Sequence, residues 1–176
     1  MSDEAKSGGT FWGWVGALWG GLGVSFLLGF AIWRLAPMAW TALKMDLSVG
    51  HWIALVVWVL FMGVAEGYRG FQKAFSPRVA ARCRYLRDNP TWLRVLTAPI
   101  FAMGFYGATR KRRITAFALT SGIVLLVVLV HQLDQPWRGI VDAGVVIGLA
   151  WGLASLVIYW FQAMTRADFP TDPEIA

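Results

Sequence analysis

Residues able to do chemistry are few in this chain. Glu66, Tyr68 and Arg69 stand together in the run Glu66-Gly67-Tyr68-Arg69-Gly70-Phe71. Glu66 and Arg69 are three apart, a spacing that lets a carboxylate and a guanidinium pair on a helix. Asp142 lies within an otherwise uncharged apolar stretch, four residues after Arg138, again at pairing distance. An ionisable group inside such a stretch is expensive to insert into a membrane and is a functional candidate for that reason. A small-solute or ion transporter or channel would set Glu66, Arg69 and Asp142 along one pathway. The plainer expectation is structural: an Arg138–Asp142 pair, and an elbow at Glu66–Arg69 made adaptable by Gly67 and Gly70.

The two histidines, His51 and His131, open and close apolar stretches. Neutral imidazole is a common haem or metal ligand, so a haem held by His51 and His131 is the alternative to plain interfacial histidines. No cofactor is expected. Cys83 is the single cysteine, which excludes a disulfide framework and a C-x-x-C redox pair. Walker A, G-x-S-x-G and H-E-x-x-H motifs are absent. With no complete catalytic motif, the chain leans away from enzyme function.

The elements that must carry these residues are set by composition. Hydrophobic residues make up 57% of the 176 and charged residues only 15%, where a soluble domain carries about 25% charge. This excludes disorder for the bulk of the chain and points to an all-α integral membrane protein. Four stretches are long and apolar enough to span a bilayer: 11–33, 51–65, 114–133 and 140–163. The first, followed by Arg34-Leu35-Ala36-Pro37, is too long for a signal peptide and is expected to be retained. A fifth stretch, 91–109, is interrupted by Arg94, Pro99, Gly104 and Gly107 and reads as an interfacial or re-entrant segment.

Of 16 basic residues, 11 fall between the second and third spans. Cytoplasmic loops carry the Lys/Arg excess, so the loop 67–113 is expected on the cytoplasmic side of a bacterial inner membrane, with both termini. Residues 1–10 form a cytoplasmic N-terminal segment, 11–166 the transmembrane domain, and 167–176 an acidic tail expected to be disordered and solvated. Ser76-Pro77 signals a helix start and Asp88-Asn89-Pro90 a stop. Between them Val79, Cys83 and Leu86 share one face. One or two basic helices on the membrane surface follow from this. Lys73, Arg78, Arg82, Arg84, Arg87, Arg110, Lys111, Arg112 and Arg113 are the expected surface for anionic lipid or a partner. They abut spans and match no nucleic-acid module.

Gly16 and Gly20 are four apart, as are Gly144, Gly148 and Gly152. Small residues at this spacing let helices approach closely in lipid, either within one chain or between chains. Most of the 11 tryptophans lie near span ends, as an aromatic belt requires, while Trp19, Trp58 and Trp151 lie deeper and should pack on glycine stripes. The leading expectation is a non-enzymatic accessory or assembly subunit that binds a membrane partner and anionic lipid through its basic cytoplasmic loop; a homo-oligomer is the other assembly such seams allow.

Overall fold

The computed structural model describes residues 9–176, and among these the chain is helical with no strand. The N-terminal segment expected over residues 1–10 therefore lies, except for Gly9 and Thr10, outside the described residues. Helix α1 is Phe11–Leu43, capped by the Thr10 hydroxyl, which accepts from the Gly13 N–H. Next comes α2, Val49–Met62, continued by a π-helical segment, Gly63–Phe75, and by α3, Ser76–Asp88. Two short helices, α4 (Trp92–Leu96) and α5 (Ala98–Met103), lead to α6 (Arg110–Val130) and α7 (Trp137–Thr165). Among the described residues four helices are long and apolar enough to cross a membrane: α1, the continuous helix Val49–Asp88, α6 and α7.

Three of these form one bundle. In α1, Ala17 lies beside Trp160 of α7, whose indole N–H donates to the Ala17 carbonyl at 3.2 Å. At the other end Gly139 of α7 abuts Met38 and Ala42 of α1. The two helices are thus antiparallel over their length. Against α2–α3 the order is parallel: Trp58 meets Gly144, Glu66 meets Gly148, Phe71 meets Gly152, and Ser76 meets Ser155. Helix α7 is the centre, with a neighbour on each side.

Several boundaries differ from those expected. Helix α1 does not end near Trp33 but runs on through Arg34 and Pro37 to Leu43, because Ala39 and Ala42 have a packing surface there. The Pro37 carbonyl accepts from the Thr41 hydroxyl at 2.8 Å. Ser76-Pro77 does not start a new helix. The chain arrives already helical, with Ser76 N–H bonded back to the Phe71 carbonyl, five residues earlier. This widened π turn takes up the position before Pro77, which has no N–H to give. Ser76 is therefore not a cap. Its hydroxyl lies 2.8 Å from the Ser155 hydroxyl, a buried polar contact to α7.

The apolar face of α3 is turned into the protein rather than outward. Val79, Cys83 and Leu86 do share a face, but that face is fully buried, with Cys83 against Gly20 and Leu86 against Gly16 of α1. The stop at Asp88-Asn89 is where α3 ends. The stretch 91–109 forms two short helices, broken at Thr97, laid along the N-terminal half of α1. Val95 meets Gly16, Ala98 meets Gly20 and Pro99 meets Gly23.

Helix α6 does not join this packing. Arg112, Ala116 and Val130, near its two ends, are buried, and every residue from Phe117 to Leu129 is exposed.

Candidate functional site

The basic residues of α3 divide into two groups by helix geometry. Arg78 and Arg82, four apart, face the loop that leads into α6. Arg84 and Arg87 face the C-terminus of α7. Arg84 donates to the carbonyls of Ala163 (3.4 Å), Arg166 (2.9 Å) and Ala167, and Arg87 to that of Met164 at 3.2 Å. The last carbonyls of a helix lack intrahelical partners and carry the negative pole of its dipole. Two guanidiniums there satisfy both needs. Arg87 also pairs with Asp88 at 2.8 Å and lies over the Trp14 ring.

Arg82 is the largest fully buried side chain, 1% exposed. Its Nε donates to the Phe101 carbonyl at 2.7 Å and Nη1 to that of Pro173 at 2.9 Å. Nη2 donates to the carbonyls of Tyr106 (2.8 Å) and Gly107 (3.1 Å). The guanidinium also stacks on the Phe101 ring, 4.2 Å from its centroid. Gly104 and Gly107 have positive φ, which bends the α5–α6 loop so that its carbonyls point inward. Arg82 thus joins α3, this loop and the C-terminal residues 167–176.

Those residues do not hang free in solvent, contrary to the expected disordered tail. They form a strap. Arg84 holds Ala167, Phe169 packs on the core around Cys83 and Leu156, and Arg82 holds Pro173. The Thr109 N–H donates to the Glu174 carbonyl at 3.0 Å, and Ile175 packs with Leu86, Ala98 and Phe101. Arg112 Nε lies 3.9 Å from Glu174 Oε2. The acidic strap is held by arginines that lie far from it in sequence, so its own composition does not reveal its seat.

Arg82, 1% exposed, and Arg112, 6% exposed, therefore do not belong to an outward lipid or partner surface. Arg84 and Arg87 are occupied at the end of α7. Lys73, Arg110, Lys111 and Arg113 remain exposed, and Arg78 is half-buried. Lys73 stacks over the Tyr68 ring at 4.5 Å.

Glu66, Tyr68 and Arg69 are exposed on the π segment. Among the described residues Glu66 and Arg69 make no ion pair, since the wider turn changes which residues share a face. Asp142 is buried on α7 and lies 4.0 Å from Arg138 Nε, the expected partner. Glu66 sits beside Gly148, six residues further along α7. Glu66, Arg69 and Asp142 are thus not gathered into one site.

His51 completes a capping box at the start of α2, its Nδ1 lying 3.0 Å from the Ser48 hydroxyl. His131 Nδ1 lies 2.8 Å from the Val127 carbonyl. Among the described residues no three His, Cys, Asp or Glu side chains gather at metal-binding distance.

The glycine stripes meet rings and side chains of the same chain. Trp58 fills the space over Gly144, Phe71 that over Gly152, Trp160 that over Gly21 and Trp151 that over Gly67. Trp19 instead donates to the Leu96 carbonyl at 3.2 Å. Sequence reasoning missed Glu174, the Ser76–Ser155 contact and the inward carbonyls of the α5–α6 loop. The Arg78/Arg82 spacing together with Gly104 and Gly107 was the available signal. No protein-family model, curated protein or solved structure matches this chain.

Proposed function

We propose that this chain is a multi-pass protein of a bacterial inner membrane that works by binding, as an accessory or assembly subunit whose α6 docks against a membrane helix of another polypeptide. The observation that supports it is the isolation of α6. Its apolar stretch is only 6% buried, against 39% for α7. Thr115, Ala118, Ser121 and Gly122 lie along one side of it, and Gly122 has no atom within 4 Å of where a Cβ would stand. In α7 each glycine of the repeat is covered by a side chain of the bundle. The same close-packing physics leaves Gly122 ready for a helix from elsewhere.

In this reading the α3–α6 end lies at the cytoplasmic side, with both termini, because cytoplasmic segments carry the Lys/Arg excess. The helix Val49–Asp88 has 40 residues. That is about 60 Å at about 1.5 Å per residue, roughly twice the hydrocarbon core of about 30 Å. Its α3 end then projects into the cytoplasm. Exposed Lys73, Arg110, Lys111 and Arg113 lie where anionic headgroups would meet them, each such contact contributing about 1 kcal/mol.

Native mass spectrometry of the chain gently extracted from its own membrane tests the proposal. A stoichiometric second polypeptide is the expected result. A monomer or homo-oligomer would overturn the accessory-subunit reading.

A further inference from the structure

Arg82 and Arg112 both lie against the α5–α6 loop where it meets α3 and the strap, and Arg78 stands one turn before Arg82 on α3. A Cβ on Gly104 would lie 3.5 Å from Arg112 Nε, and one on Gly107 4.0 Å from Arg82 Nη2. Arg82 and Arg112 are both buried at this junction, so two positive charges are held there out of water. Among the described residues the carboxylate that pairs with Arg112 is Glu174, and at 3.9 Å from Nε it is too distant for a hydrogen bond. Arg112 Nε, in a side chain 6% exposed, and Arg78 Nε have no hydrogen-bond partner among the described residues. The partners of Arg82 are carbonyls, which take its N–H groups without cancelling its charge.

The N-terminal turn of α6 adds to the imbalance. Arg110, Lys111, Arg112 and Arg113 all stand at the positive pole of the helix, which carries no side-chain cap. Like charges held in a desolvated place need a counter-ion. A phosphate group brings about −1.5 to −2 of charge and three acceptor oxygens that match the guanidinium fork. The single carboxylate of Glu174 does less. We propose that Arg78, Arg82 and Arg112, with the N-terminal turn of α6, form a binding site for a phosphate group, which Glu174 covers from within, so that phosphate entry releases the strap. This is distinct from the general attraction of exposed cations to a membrane, because Arg82 and Arg112 are inside the fold.

Hydrogen–deuterium exchange on the full chain in phosphatidylcholine nanodiscs tests it. The readouts are the strap, 167–176, and the Thr109 amide that donates to Glu174. Inorganic phosphate is added to one sample, and phosphatidic acid is built into the discs of another, against chloride at matched ionic strength. Exchange in the strap should rise about tenfold or more with at least one of them. A response to inorganic phosphate assigns a soluble phosphate compound, and a response to phosphatidic acid alone assigns a lipid headgroup. Glu174→Gln should lower the concentration needed for release by about tenfold, one competing charge having been removed. Arg112→Gln should abolish the response. Should that variant fail to fold, Glu174→Gln, at a partly exposed position, still decides. Unchanged exchange with both probes, or release of wild type and Glu174→Gln at the same concentration, overturns the proposal.

Discussion

Arg82 is the residue on which the packing of α3, the α5–α6 loop and the strap turns. Four of its N–H groups reach carbonyls of α5, the α5–α6 loop and the strap. Lysine keeps the charge but has one nitrogen and three donors, and it loses the planar fork. Arg82→Lys should therefore destabilise the chain by about 1–3 kcal/mol, since at least one buried carbonyl loses its partner. Thermal unfolding in detergent reads this as a lower midpoint, while exposed Arg110→Lys should leave the midpoint unchanged. An unaltered midpoint for Arg82→Lys would mean that the four bonds are replaceable. At this scale the sequence was partly legible. The Arg138–Asp142 pair follows from a spacing of four on a helix, a local rule. The burial of Arg82 does not, because its acceptors are backbone carbonyls 19 to 91 residues away and carry no side-chain signature. Glu66 and Arg69 show the converse: a local rule that holds for an α-helix fails on a π turn.

Element packing here is rings into glycines. Trp58 and Phe71 enter the spaces over Gly144 and Gly152, and the two helices run parallel along that seam. A side chain at Gly152 must displace the Phe71 ring. Gly152→Val should cost about 1–3 kcal/mol by overpacking, read again as a lower unfolding midpoint. Gly122→Val is the matched contrast. With nothing within 4 Å, it should leave the midpoint unchanged and weaken association with the proposed partner instead. Equal effects of the two substitutions on stability would contradict the separation of α6 from the bundle. The glycine spacing itself was plain in the sequence. That the repeat of α7 faces inward was not, because the same spacing serves seams within and between chains. The helix start expected at Ser76-Pro77 was overridden by tertiary packing. Ser76 reaches Ser155, and the chain stays helical through a π segment that supplies the slack. The strap was missed because acidic, proline-containing composition reads as solvated when its arginine partners lie elsewhere in the chain.

For the whole molecule, the count of four long apolar helices was evident from hydropathy, since length and composition alone decide it. Which of them pack together was not, because lipid and side chains are alike in polarity and apolar surface does not by itself drive helices together. The structure joins α1, α2–α3 and α7 into a bundle and leaves α6 apart, attached through its buried ends. A helix so placed is tied to its own chain without filling a place in it. In the proposed function α6 is the surface a partner binds. It is tested most directly by in-cell photo-crosslinking, with a photoreactive amino acid at Leu119 or Leu125 beside the Gly122 stripe, and at buried Leu156 of α7 as the control. One distinct second polypeptide should be captured from Leu119 and Leu125 and none from Leu156. Capture of lipid alone from both α6 positions, or of the same chain, would contradict it.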